Sequence, residues 1–162
     1  GLVLLVGPLV AALTSVPAGR LADRFGTQRM TIAGLVALVF GCFTLSMLPE
    51  TLGVGGYLAP MVVITLGYAV FQTANNAAVM ADVQPDQRGL IAGMLGLSRN
   101  LGLITGASAM GAVFVLTSAA VDISTAHPEA IAIGMRTTFR VALGLIVVAC
   151  CIAWGLQRKK PA

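Results

Sequence analysis

The sequence predicts an all-α membrane protein with about five transmembrane helices. Of its 162 residues, 57% are hydrophobic and only 10% are charged, whereas a soluble domain is about 25% charged. The apolar residues form long stretches, and at about 20 residues per span plus loops the chain has room for about five spans. This composition excludes soluble enzymes and free-standing soluble binding domains.

Five apolar segments, a to e, are predicted as the helices of one transmembrane domain. Their expected ranges are residues 1–18, 29–48, 57–80, 89–118 and 136–157. Segment b stops before Pro49, and Pro85 closes segment c, because proline cannot continue a helix. Pro60 falls in the first turn of segment c, where its missing N–H costs nothing. Asp86 is placed to cap segment d.

The chain is expected to be a fragment that is truncated at its N-terminus. Residue 1 is a glycine inside segment a, and neither an initiator Met nor the basic start of a signal peptide precedes it. Segment a is therefore expected to be incomplete.

Basic residues fall on alternate connections between the segments. They are Arg20, Arg24 and Arg29 between a and b, Arg88 between c and d, and Arg158, Lys159 and Lys160 in the tail. Short loops rich in Lys and Arg stay in the cytoplasm, so the C-terminus is expected there. Arg136 and Arg140, near the outer end of segment e, are expected to extend to the lipid headgroups. The basic residues do not form a patch with aromatic residues, so the sequence gives no indication of nucleic-acid binding.

The connection between segments a and b contains the sequence GRLADRFGTQR at residues 19–29. Gly19 allows two helices to approach closely, and Gly26 permits a tight turn with positive φ. Asp23 can accept a hydrogen bond from a helix N-terminus or pair with Arg24. A short turn between two spans also needs glycine and positive charge for its own sake, so the motif has both a functional and a purely structural interpretation.

This connection resembles the G-x-L-a-D-r-x-G-x-[RK]-[RK] loop of the major facilitator superfamily, although Gln28 replaces the first residue of the final basic pair. The sequence PDQRG at residues 85–89 resembles a second connection of that family. The resemblance implies that segments a to e are the second to sixth helices of the C-terminal half of this fold. The N-terminal half of the same chain is then the missing partner.

The same resemblance assigns roles to both connections. It implies a latch loop that contacts the opposite half and holds the outward-facing state, formed by Gly19, Arg20, Asp23, Arg24, Gly26 and Arg29. It also implies a second cytoplasmic loop, formed by Asp86, Arg88 and Gly89.

Polar side chains share one face of segment c. Gln72, Asn75 and Asn76 follow Tyr68 at helical spacing. An unsatisfied amide in hydrocarbon costs several kcal/mol, so this face contacts protein or water. Its side chains either hydrogen-bond between helices or line a substrate cavity, which in transporters lies near the membrane midplane.

Arg99 and Asn100 lie about ten residues into segment d, which is about 15 Å along a helix that starts at Gly89. Residues 101–121 are uncharged and are long enough to cross the membrane by themselves. This favours a position for Arg99 and Asn100 at the inner membrane surface. The alternative is that they line the cavity and contact substrate or an acidic group of the other half.

Small residues follow on segment d, where Gly102, Gly106 and Gly111 predict a face that another helix can approach closely. The run at residues 97–114 resembles the fourteen-helix drug:proton antiporter branch of the family. The resemblance implies proton-coupled efflux of small amphipathic organic compounds by alternating access, in a bacterial cytoplasmic membrane. The six acidic residues lie in loops or at helix ends, so the proton-carrying carboxylate is expected in the N-terminal half.

Two alternatives remain open: an uptake symporter for a metabolite with the same fold, and a non-transporting membrane sensor or truncated fragment. The expected partners are a small-molecule substrate, protons and the lipid bilayer. No catalytic set, cofactor motif or metal-ligand spacing is present in the sequence, and Cys42, Cys150 and Cys151 lie inside apolar runs.

Overall fold

The computed structural model describes residues 17, 19–21, 23–48, 53–118 and 128–158. In this part of the chain there is no strand, and the helices with defined bounds are α1 (Thr27–Met47), α2 (Gly53–Met80), α3 (Arg88–Ser118) and α4 (Pro128–Arg158). They correspond to segments b to e, and all four are long and apolar enough to cross a membrane. Residues 1–16, most of the d–e connection and the tail after Arg158 lie outside the described residues.

The break before α1 is confined to Gly26. The described residues from Gly19 to Phe25 are helical, so the prediction of a connection over residues 19–28 is wrong for most of its length. Gly26 has φ 88°, as predicted, and this conformation is open to glycine because it has no Cβ. Nothing before Gly26 stops the helix, since the preceding residues are mainly good helix formers.

The C-terminus of α1 lies before Pro49, as the sequence predicts. Leu48 is extended, with φ −63° and ψ 129°, because the ring of a following proline disfavours the helical conformation. The Nη2 of Arg136 donates a hydrogen bond to the Leu48 carbonyl oxygen at 3.1 Å. The prediction that Arg136 extends to headgroups is therefore wrong: its cation binds the negative end of the α1 dipole.

Pro60 lies inside α2 and not in its first turn. The helix starts at Gly53, four residues before the predicted start at Tyr57, so Pro60 removes an N–H that would bond to the Gly56 carbonyl. The helix continues through 53–56 because residues in an apolar environment must satisfy their own backbone groups, which outweighs the poor helix propensity of glycine. Pro60 is buried against α1.

In the turn between α2 and α3, Asp86 does not occupy the predicted N-cap position of the second helix. Gln87 N–H donates to Gln84 O at 3.0 Å, and Gln87 O accepts from Ile91 N–H at 3.0 Å. Gln87 therefore precedes the first helical residue, and Asp86 lies one residue earlier, after Pro85, which favours the second position of a turn. Arg88 and Gly89 belong to α3 and not to a loop.

The start of α4 is eight residues earlier than predicted. Segment e was expected from Arg136, whereas α4 begins at Pro128 and carries Glu129 in its first turn. Proline suits the first helical position, where its N–H would have no partner, and a carboxylate stabilises the positive end of the helix dipole. These two effects extend the helix into what was expected to be a polar connection.

The helices are arranged around α1, which contacts α2 and α4, while α3 contacts α4 and barely reaches α2. The closest approach of α1 and α2 is at two glycines. A Cβ on Gly34 would lie 2.7 Å from the Gly67 carbonyl oxygen, and a Cβ on Gly67 would lie 2.9 Å from the Gly34 carbonyl oxygen. The two backbones therefore leave no room for a side chain at either glycine.

Threonine hydroxyls bond within their own helices. Six threonines donate to the carbonyl four residues earlier, at 2.7–2.9 Å: Thr31, Thr44, Thr65, Thr105, Thr117 and Thr138. A hydroxyl satisfied in this way can face hydrocarbon without a partner on another helix. The described helices therefore pack mainly through shape and apolar contact.

Candidate functional site

An open cleft of about 630 Å³ lies between α2 and α3, the two neighbouring helices that barely contact each other. It begins beside the turn that joins them, at Met80, and extends about three to four helical turns along both helices. The side chains and glycines that line it are Tyr68, Phe71, Gln72, Asn75, Asn76 and Met80 of α2, and Ala92, Leu95, Gly96, Ser98, Arg99, Gly102 and Leu103 of α3.

The α2 helix has a packed face and a cleft face. Gly67, Val70 and Ala74 repeat at three and four residues on the packed face, where Ala74 is completely buried against Met30 of α1. The residues between them form the cleft face. The contact with α1 therefore fixes the rotation of α2 and directs its polar side chains toward α3.

Arg99 and Gln72 hydrogen-bond across the cleft. With its oxygen toward α3, the Gln72 amide accepts from Nη1 of Arg99 at 2.8 Å and from Nε at 3.0 Å. A guanidinium has five N–H donors, so those on Nη2 remain available. No other described residue bonds to Arg99. This contact places the guanidinium in the cleft.

The cleft combines one charge, amides and apolar surface. Arg99 is the charged side chain among its described lining residues, and no described carboxylate reaches it. Tyr68 and Phe71 add aromatic rings, and Leu95 and Leu103 form the opposite wall. A small number of polar groups in a mostly apolar concavity is typical of small-molecule sites.

Five of the six residues predicted for the cavity come together in this cleft: Tyr68, Gln72, Asn75, Asn76 and Arg99. Asn100 does not line it. Arg99 lines the cleft, as in the alternative interpretation, and its depth in the membrane stays a prediction. Sequence reasoning missed the apolar lining, although Phe71 and Leu95 stand one turn from the predicted polar residues.

The predicted latch loop lies at the opposite end of α1 from Leu48. The guanidinium of Arg24 lies 5.8 Å from the ring centroid of Phe25, a cation–π geometry. Asp23 is exposed, and it neither caps α1 nor pairs with Arg24. Neither of the two interactions expected for Asp23 is present among the described residues. Its carboxylate therefore remains available to other parts of the protein.

Among the described residues, the glycines at close helix contacts differ from those that the sequence singled out, whose contact with another helix stays a prediction. No described atom lies within 4 Å of a Cβ built on Gly102, Gly106 or Gly111. At Gly134 of α4, in contrast, a Cβ would lie 3.0 Å from the Phe114 ring of α3. Gly34 and Gly41 offered a signal that was missed, since they stand seven residues apart on one face of segment b.

Among the described residues, no three His, Cys, Asp or Glu side chains come close enough to hold a metal ion. The chemistry of the cleft is therefore that of its arginine, amides and rings.

The described part of the chain is a bundle of membrane-spanning helices with a polar-lined cleft, and sequence comparison identifies the family. Residues 1–162 match the Major Facilitator Superfamily. The chain belongs to this family, and it is an all-α, multi-pass membrane protein.

Three curated relatives are similar to the chain. The multidrug efflux pump LfrA of Mycolicibacterium smegmatis is 28% identical over 70% of this chain and 23% of its own length. The riboflavin transporter RibZ of Clostridioides difficile is 23% identical over 98% of this chain and 35% of its own length. The uncharacterized transporter YebQ of Escherichia coli is 31% identical over 67% of this chain and 24% of its own length. The chain thus spans at most about a third of these relatives, and no solved structure matches it significantly.

Proposed function

We propose that this chain forms part of a secondary active transporter that exports small amphipathic organic compounds in exchange for protons. The observation that carries the proposal is the open cleft between α2 and α3, which combines aromatic, amide and cationic groups. A drug efflux pump among the relatives supports export. The N-terminal half is proposed to close the open side of the cleft and to rock against it during alternating access.

Everted vesicles that contain the complete gene product test this proposal. A proton gradient, acidic inside, is imposed, and accumulation of a fluorescent amphipathic dye is followed. Export predicts that the dye accumulates when the gradient forms and leaves when an uncoupler is added. Vesicles without the protein are the control. Equal dye accumulation in vesicles with and without the protein would refute proton-coupled export.

Uptake of a metabolite is the second candidate, because a riboflavin transporter matches nearly the whole chain. The same vesicles distinguish the two directions. An uptake symporter moves substrate out of everted vesicles together with protons, so a gradient that is acidic inside would deplete the vesicles of preloaded substrate.

The latch loop is proposed to contact the other half of the transporter through Asp23. The carboxylate is exposed and has no partner among the described residues, which leaves it available for a contact that forms and breaks. Asp23→Asn should slow transport several-fold without reducing the amount of protein in the membrane. Asp82→Asn, a matched change in the turn after α2, is the control. Unchanged transport in Asp23→Asn would refute the latch role.

The protein is proposed to lie in a bacterial cytoplasmic membrane with its C-terminus in the cytoplasm. The distribution of Lys and Arg supports this orientation. The proton-carrying carboxylate is proposed to belong to the N-terminal half, since no described acidic residue lines the cleft. Cysteine labelling of Ala162→Cys from either side of the membrane, in a variant without the three native cysteines, tests the orientation.

A further inference from the structure

We propose that Arg99 is the subsite for a negatively charged group, such as a carboxylate, on an aromatic substrate, and that Gln72 positions its guanidinium. The inference rests on the proposed transport function and names the substrate class of the same cleft. Three observations carry it: the available donors of Arg99, the absence of a carboxylate around them among the described residues, and the aromatic rings beside them.

The guanidinium of Arg99 has no counter-charge among the described residues. Arg99 lies about 16 Å along α3 from its first residue, and Gln72 about 12 Å from the end of α2. A cation within the membrane-spanning part of a protein is costly unless a group of opposite charge or a water-filled cavity faces it. The Gln72 amide satisfies two donors but is neutral, so it orients the guanidinium and leaves the charge uncompensated.

The described carboxylates lie outside the cleft. Asp23 precedes Gly26, Asp82 and Asp86 lie in the turn after α2, and Glu129 lies in the first turn of α4. None of them lines the cleft. An anionic substrate completes the site, because a carboxylate accepts charge-assisted hydrogen bonds from the donors that Gln72 does not use.

The neighbours of Gln72 define the rest of the substrate. Tyr68 and Phe71 line the cleft within about one turn of Gln72, and Asn75 follows within the next turn. The faces of Tyr68 and Phe71 favour a planar aromatic ring, and the Asn75 amide can bond to a polar ring substituent. The cleft therefore suits a planar ring system with a negative charge at one edge.

A rhodamine dye with a free carboxylate and the methyl ester of the same dye form the matched probe pair. They share their ring system and differ in one negative charge. Binding of each dye to the purified complete gene product in detergent is measured by fluorescence anisotropy. The wild type should bind the free acid more tightly than the ester. Arg99→Gln should weaken binding of the free acid about ten- to a hundredfold and leave binding of the ester unchanged.

Gln72→Glu provides an independent variant. A glutamate at this position compensates the charge of Arg99 within the protein, so the preference for the free acid should disappear while the arginine is still present. Arg140→Gln is the matched control, because Arg140 is an exposed arginine of α4 that does not line the cleft. It should keep the wild-type preference. Binding of the ester verifies that each variant is folded.

The outcomes separate this proposal from the proposed transport function. The anion subsite is overturned if the wild type binds both dyes with equal affinity. It is also overturned if the wild type binds neither dye. A variant at Arg99 or Gln72 that keeps the preference for the free acid overturns it as well. A carboxylate of the other half that pairs with Arg99 would give the first of these results. If the free acid binds through Arg99 but neither dye moves in everted vesicles, the subsite stands and transport fails.

Discussion

The crossing of α1 and α2 at Gly34 has no room for a single added methyl group, and Gly34→Ala measures what this costs. A Cβ at this position would lie 2.6 Å from the Phe71 nitrogen, 2.7 Å from the Gly67 oxygen and 2.8 Å from the Phe71 Cα. All three are backbone atoms, so no side chain can rotate away. The α2 helix must move by about 1 Å to restore van der Waals contact.

Overpacking of this kind costs about 1–3 kcal/mol. The melting temperature of the complete gene product, measured in detergent as a fluorescent fusion, should therefore fall by several degrees in Gly34→Ala. The movement also shifts Phe71 and Gln72 toward α3, so affinity for the carboxylate dye should fall together with stability.

Gly144→Ala is the matched control. It lies in the interior of α4, where no atom of the described residues lies within 4 Å of the added methyl group, and alanine is a better helix former than glycine. Its melting temperature should equal or exceed that of the wild type. If Gly34→Ala melts at the same temperature as Gly144→Ala, the crossing is looser than the structure describes, and the argument from backbone contact is refuted.

Three further substitutions test separate features of the bundle. Gly26→Ala should lower the free energy of unfolding by about 1–3 kcal/mol, because φ 88° suits glycine almost alone; Gly19→Ala, at a helical and open position, should melt like the wild type. Arg136→Gln should lower it by about 1.5–3 kcal/mol through loss of a charged hydrogen bond to a buried carbonyl, and an unchanged melting curve would show that water replaces the bond. Gly106→Leu should lower the melting temperature of the complete gene product if another helix covers the small-residue face of α3; the same temperature as the wild type would mean that lipid covers it.

The helices and several of their ends follow from local properties of the sequence. Long apolar runs must form helices in a membrane, Pro49 limits α1, and Gly26 provides the positive φ that breaks the chain before it. The starts of α2 and α4 could not be predicted, because uncharged residues such as those at 53–56 are compatible with both helix and loop. Their conformation depends on the need to satisfy backbone groups away from water.

The candidate site was predictable on one helix and not between two. Helical spacing alone places Gln72 and Asn75 on one face of α2. The bond between Gln72 and Arg99 joins residues that are far apart in the sequence, and it depends on how each helix is rotated in the bundle. The same rotation decides which glycines meet a neighbour, which is why Gly34 packs closely while Gly106 does not.

The two faces of α2 also have a consequence for how such a protein can evolve. The residues that hold α2 against α1, such as Gly67 and Ala74, differ from those that line the cleft, such as Gln72 and Asn75. A mutation on the cleft side can change which compounds are recognised without loosening the scaffold. New specificities are therefore accessible one substitution at a time, each from a protein that still folds.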